Sequence, residues 1–229
     1  MKTSLTLTQN HNIMKDNIIF GGCSFTWGQG LYYSNPNFKD LPIQVDGVYD
    51  HSDTSFPSPE HLKYMEENRF ATQVSKHFNV LPIVDKVNGG GNYTIYEFVK
   101  KQINNKTKAV VIQTTSFGRN GEGDGGRGET IEQQIREFEG LAHDMIDGYK
   151  IPIVFFHFDW CVGPVPLVIA ERTIKPFSLN FSFIDDIRNN LTITVGPKDQ
   201  HFNLNGHNIV SNKIINYLNQ WHNQNTHLT

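Results

Sequence analysis

Apolar runs of strand length recur along this chain at Asn17–Phe20, Val80–Val84, Ala109–Gln113, Ile151–Phe156 and Leu191–Val195, and helix-patterned segments separate them. The helical segments are expected at Glu66–Phe78, Thr94–Ile103, Thr130–Tyr149 and Asn205–Trp221. Most of the strand runs are continuously apolar rather than alternating, the pattern of parallel strands covered on both faces. The order βαβαβαβα predicts an α/β fold, a three-layer α/β/α sandwich around a five-stranded parallel sheet of flavodoxin-like type. In such a sheet ligands collect outside the carboxyl ends of the strands, so the chemistry is expected there.

The length of 229 residues suits one such domain and leaves little room for a second. Residues 1–15 read as a tail ahead of the first strand. Two stretches are too long and irregular to be simple connectors: 31–62, rich in Asn, Pro, Asp and Ser, and 116–129, whose core is SFGRNGEGDGGRGE. Both are expected as loops at the rim of the site. No internal repeat is visible.

Charge and composition narrow the partners. The formal net charge is −3, and the 20 Lys and Arg are scattered rather than gathered into a stripe, so no nucleic-acid partner is expected. The opening residues MKTSLTLTQNHNIMKD hold no apolar core of secretory length, and no later window approaches a membrane span. The expectation is a soluble, cytoplasmic product with no membrane partner. Its two cysteines, Cys23 and Cys161, are too few for a disulfide framework. The groups at Asp50–Asp53 and His157–Asp159 lack the spacing of zinc or calcium motifs, so no metal and no cofactor are expected. No Gly-x-Gly-x-x-Gly or Gly-Lys-Ser/Thr run closes a strand in the way a nucleotide site requires.

Two stretches at opposite ends of the chain carry the chemistry. The first, IIFGGCSFTWGQG, ends an apolar strand in glycines and sets Ser24 just beyond it. The second, GPKDQHFNLNGHNIV, sets Asp199 and His201 between a strand and the last helix. Acyl transfer by serine needs a hydroxyl, an imidazole to take its proton and a carboxylate to hold the imidazole in one tautomer. Ser24, His201 and Asp199 supply that set. In an extended segment residues two apart share a face, so the Asp199-x-His201 spacing permits their contact. His207 is the second candidate base, although its place beside Gly206 on the first helical turn suits a structural role. Cys23, just inside a buried strand end, reads as packing. Aromatic residues crowd the same region, among them Trp27, Tyr32, Tyr33, Phe117, Phe158 and Trp160, and suit sugar rings or acyl chains.

With these residues in place, the chain resembles the SGNH (GDSL-type) hydrolases, in a phage- or bacterial-type form. GGCSFTWG is similar to the family's first block, DQHFNLNGH to its last, and VNGGGNYTIYE, from Val87 to Glu97, to its second. The resemblance spans nearly the whole chain in the right order. It implies a serine esterase acting on a small acyl ester, with an O-acetyl group on a carbohydrate as one such substrate. In that reading Ser24 is the nucleophile, His201 the general base and Asp199 its partner. The oxyanion hole is implied from the backbone N–H groups of Ser24 and Gly89, or Gly90 in the neighbouring register. Such donors contribute on the order of 3 kcal/mol each. The family's third block usually supplies an Asn donor after the third strand, and VVIQTTSFGRN has none in register. A hydroxyl of Thr115 or Ser116, or the side chain of Arg119 or Asn120, is left to fill that place. Trp27, Asn92, Ser116, Arg119 and Trp160 are expected to line the pocket. The missing third-block Asn, and an Asp199-x-His201 spacing one residue shorter than the family's Asp-x-x-His, also fit a lapsed enzyme that keeps its cleft to bind a glycan or a partner protein.

Overall fold

A computed structural model describes residues 15–38, 58–86, 91–115, 148–157, 178–182, 193–196 and 199–225, with single positions at 133, 136, 140, 144 and 145. At 157, 178–182, 196, 199–200 and 224–225 the description is of the backbone alone. The main sheet is built from β1 (Asn17–Gly21), β2 (Leu81–Val84), β3 (Thr107–Thr114), β4 (Ile153–His157) and β5 (Ser178–Ser182), in the order β2-β1-β3-β4-β5. Every neighbouring pair in it is parallel.

The continuous apolar runs are explained by two buried faces. Ile18 and Phe20 of β1, Ala109 and Val111 of β3, and Val154 and Phe156 of β4 face one core. Ile19, Val110, Ile112, Ile153 and Phe155, the alternate positions, face the other. The first core is covered by α3 (Phe70–His77), through Phe70, Ala71 and Val74, and by α5 (Leu204–Asn225), through Val210, Ile214 and Leu218 at four-residue spacing. The second is covered by α4 (Asn92–Gln102), through Ile95, Tyr96 and Val99, together with the helical Met145. Fully burying each such side chain contributes about 1.5–3 kcal/mol. The chain is thus α/β, with a parallel sheet between helices.

Several expected elements are corrected. Of the strand expected at Leu191–Val195, the described residues from Ile193 on do not join the main sheet. Thr194–Gly196 forms a short strand β6, paired antiparallel with β7 (Asp199–Phe202), and Ser178–Ser182 takes the place beside β4. Gly196, Pro197 and Asp199 are turn formers that favour a reversal over a long crossover. The single helix expected at Glu66–Phe78 is two helices, α2 (Pro59–Asn68) and α3, broken at an extended Arg69 (φ −63°, ψ 152°). A capping box starts α2 early: the Ser58 hydroxyl accepts from the His61 amide, Pro59 opens the first turn, and His61 Nδ1 accepts from the Ser58 amide at 3.0 Å.

The stretch expected as a rim loop at 31–62 is helical at both described ends. Leu31–Ser34 and Pro36–Phe38 form 3-10 turns, and Pro59 begins α2. Leu31, Tyr32 and Met65 make a small third core there, against which Trp27 and Tyr33 pack. The second rim stretch, 116–129, and most of the helix expected at Thr130–Tyr149 lie outside the described residues, although positions 133, 136, 140, 144, 145 and 148 are helical. No helix among the described residues is long and apolar enough to cross a membrane.

Candidate active site

The order β2-β1-β3 reverses direction at β1, so the crevice between the carboxyl ends of β1 and β3 is the switch point of the sheet. Ser24 follows β1 and Thr115 follows β3, so both stand at that crevice. The glycines between β1 and Ser24 are needed for close approach rather than for a left-handed backbone. A Cβ on Gly21 would lie 2.5 Å from Val99 Cγ2, and one on Gly22 would meet the Thr26 side chain and stand 3.0 Å from Gln113 Cβ. Ser24 then opens a single helical turn, α1 (Ser24–Trp27), with Cys23 as its N-cap. The later glycine has the other use: Gly28 closes the turn in the left-handed region at φ 96°, donating its amide to the Ser24 carbonyl at 2.9 Å.

His201 reaches this turn from the other end of the chain. It sits in β7 of the antiparallel hairpin, and its Nε2 is 2.9 Å from Ser24 Oγ. Its ring lies against Phe25 at a centroid distance of 4.6 Å, and Phe25 in turn meets Phe202 edge-on at 5.3 Å. The hairpin is tied to the last helix by Asn203, whose amide nitrogen donates to the Thr194 carbonyl and whose Oδ1 accepts from the Gly206 amide as a helix cap. The sequence shows Asn203 between His201 and the last helix, but nothing in it marks this tether. Asp199 lies in the same strand, two residues before His201.

Ser24 is 4 % exposed, and among the described residues its hydroxyl has His201 Nε2 at 2.9 Å and Cys23 Sγ at 3.9 Å. The direction of the shorter contact follows the imidazole tautomer. An Nε2 that accepts the hydroxyl proton requires the other ring nitrogen, Nδ1, to carry the imidazole hydrogen. At 2.9 Å the imidazole is within the reach required of a general base.

The remaining expected residues divide. Asn92 heads α4, but both ends of its amide are committed to Thr115: Nδ2 donates to the Thr115 carbonyl at 2.9 Å, and Oδ1 accepts the Thr115 amide at 2.8 Å. It therefore joins the start of α4 to the end of β3. Trp27, the last residue of α1, packs against the Leu31, Tyr32 and Met65 core. Cys23 is buried with its sulfur accepting from Gln113 Nε2 at 3.1 Å, a packing and hydrogen-bonding role. Gly89, Gly90, Ser116, Arg119, Asn120 and Trp160 lie outside the described residues.

His207, the second candidate base, is fully buried and holds a structural place. Its Nδ1 accepts the Phe70 amide at 3.1 Å, and its ring stacks on Phe70. Burial first, and then the electrostatic influence of Arg69 and of the His201 ring, push its pKa down to about 3, so it stays neutral. Beside it, Arg69 is only 5 % exposed, and its Nε and Nη1 have no hydrogen-bond partner among the described residues. Burial also lowers the Arg69 pKa, with Glu66 opposing.

Among the described residues no group of three or more His, Cys, Asp and Glu is arranged to hold a metal ion. No family model, curated protein or solved structure matches the chain.

Proposed function

We propose that the protein is a serine esterase of SGNH type, hydrolysing a small acyl ester such as an O-acetyl group on a carbohydrate. The observation that carries this reading is the 2.9 Å approach of His201 Nε2 to Ser24 Oγ at the switch point of a parallel sheet. The order of sequence blocks that resemble the family supports it independently of the geometry.

In the first half-reaction Ser24 Oγ attacks the ester carbonyl carbon while His201 Nε2 takes the hydroxyl proton. Asp199 accepts from the imidazole Nδ1–H and steadies the imidazolium. The oxyanion is received by the Ser24 amide at the head of α1, by the amide of Gly89 or Gly90, and by the Thr115 hydroxyl. Thr26 and Trp27 already return their amides to the Cys23 carbonyl, and the Ser24 amide has no acceptor among the described residues. Collapse of the intermediate breaks the carbon–oxygen bond to the alcohol, which leaves with the proton from His201. Water then attacks the acyl-Ser24 ester with His201 as base, and the acid is released as Ser24 recovers its proton.

Hydrolysis of p-nitrophenyl acetate tests the assignment. The reading expects turnover by the wild-type chain and its loss in a folded Ser24→Ala variant. Glycan binding without any turnover would favour a lapsed module instead.

A further inference from the structure

The hydrogen bonds of β3 point to a residue that holds the nucleophile in place. Gln113 is a primary amide in an otherwise apolar strand, only 1 % exposed. A buried amide is costly unless its donors and acceptor are satisfied, so its partners matter. Both partners belong to the Ser24 turn: the Thr26 hydroxyl donates to Oε1 at 2.7 Å, and Nε2 donates to Cys23 Sγ at 3.1 Å. Cys23 precedes Ser24 and Thr26 follows Phe25, so one side chain grips the turn on both sides of the nucleophile.

That grip is needed because α1 has only four residues, and an isolated turn of that length does not hold itself. Gly22 belongs to the same device. A Cβ there would meet Thr26 and stand 3.0 Å from Gln113 Cβ, so the missing side chain lets the strand and the turn close together. The bond to Gln113 also holds the Cys23 sulfur 3.9 Å from Ser24 Oγ, farther than His201 Nε2 at 2.9 Å. Two residues after Gln113, just past the end of β3, Thr115 holds the start of α4 through Asn92.

We propose that Gln113 is a positioning residue: acting through Cys23 and Thr26, it fixes the direction of Ser24 Oγ toward His201. The kinetic consequence rests on the esterase reading, whereas the geometric consequence does not. Two measurements therefore belong together, kcat and KM for p-nitrophenyl acetate, and the ¹⁵N resonance of His201 Nε2 in the free protein.

Gln113→Leu removes the grip outright. If that variant does not fold, Thr26→Val removes one of its two bonds without changing shape. Displacing a reacting group by about 1 Å lowers kcat by roughly 10- to 100-fold, while KM stays within about twofold because binding groups are untouched. The Nε2 resonance is expected to shift in both variants, and Thr26→Ser, which restores the hydroxyl, to recover both readouts. Folded Gln113→Leu or Thr26→Val protein with wild-type kcat and an unmoved resonance overturns the proposal, even if its melting temperature is lower. If wild type shows no turnover, or Ser24→Ala equals it, the esterase reading fails. The positioning role then still stands on a shifted resonance and falls on an unmoved one.

Discussion

Ser24 and His201 stand 177 positions apart in the chain, yet the hydroxyl oxygen of one lies 2.9 Å from the Nε2 of the other. Two local devices produce the contact. Glycines at the end of β1 let the Ser24 turn sit close to α4 and β3, and the β6–β7 hairpin carries His201 back over that turn against Phe25. The predictions below each load one of the parts that maintain it.

Asn92 is the first. Its amide satisfies both backbone groups of Thr115. Asn92→Ala leaves a buried donor and a buried acceptor unpaired, at about 1–3 kcal/mol each. Urea denaturation is expected to show a loss of about 2 kcal/mol or more. An unchanged midpoint would contradict the clamp.

The paired glycines separate stability from placement. Gly21→Ala presses on Val99 and Ile95 of α4, whereas Gly22→Ala presses on Thr26 and Gln113 beside Ser24. Overpacking of this kind costs about 1–3 kcal/mol in either case. On the proposed esterase reading, hydrolysis of p-nitrophenyl acetate per folded molecule is expected to fall more in Gly22→Ala than in Gly21→Ala, and equal rates would contradict the difference.

Acid stability depends on His207. Its folded pKa of about 3 lies below the ordinary 6.5, so the unfolded chain takes the proton first. The contribution is therefore complete above pH 6.5 and is lost progressively as the pH falls toward 3, up to about 5 kcal/mol at 1.36 kcal/mol per unit. That is comparable with the whole stability of a typical domain. His207→Gln keeps an acceptor for the Phe70 amide and removes the titration, so its melting temperature is expected to decline less between pH 7 and pH 4. Parallel declines in the two proteins would contradict the assignment.

These parts were unequally legible in the sequence. The strands β1, β3 and β4 were readable because both faces of each are buried, which makes an unbroken apolar run. β5 was not, since Ser178-Leu-Asn-Phe-Ser182 mixes polar and apolar positions and has no such run. Leu191–Val195 was apolar enough to pass as a sheet strand, and only the reversal after Gly196 distinguishes a hairpin. The break at Arg69 carries no Gly or Pro to announce it, whereas the Ser58-Pro59 start of α2 was present in a stretch read as loop. At the site, Ser24 and His201 were recognisable from residue type and context. Gln113 left one signal, a polar side chain inside an apolar strand, and its meaning emerges only when Cys23 and Thr26 are brought against it.

The most direct test of the central claim is covalent labelling with a fluorophosphonate, which reacts with a serine only when a base activates it. The account predicts one adduct, mapped by peptide mass spectrometry to Ser24, absent in Ser24→Ala and formed about 10³-fold or more slowly in His201→Ala. An adduct on another residue, no adduct on the wild-type protein, or labelling at Ser24 that is equally fast without His201 would contradict it.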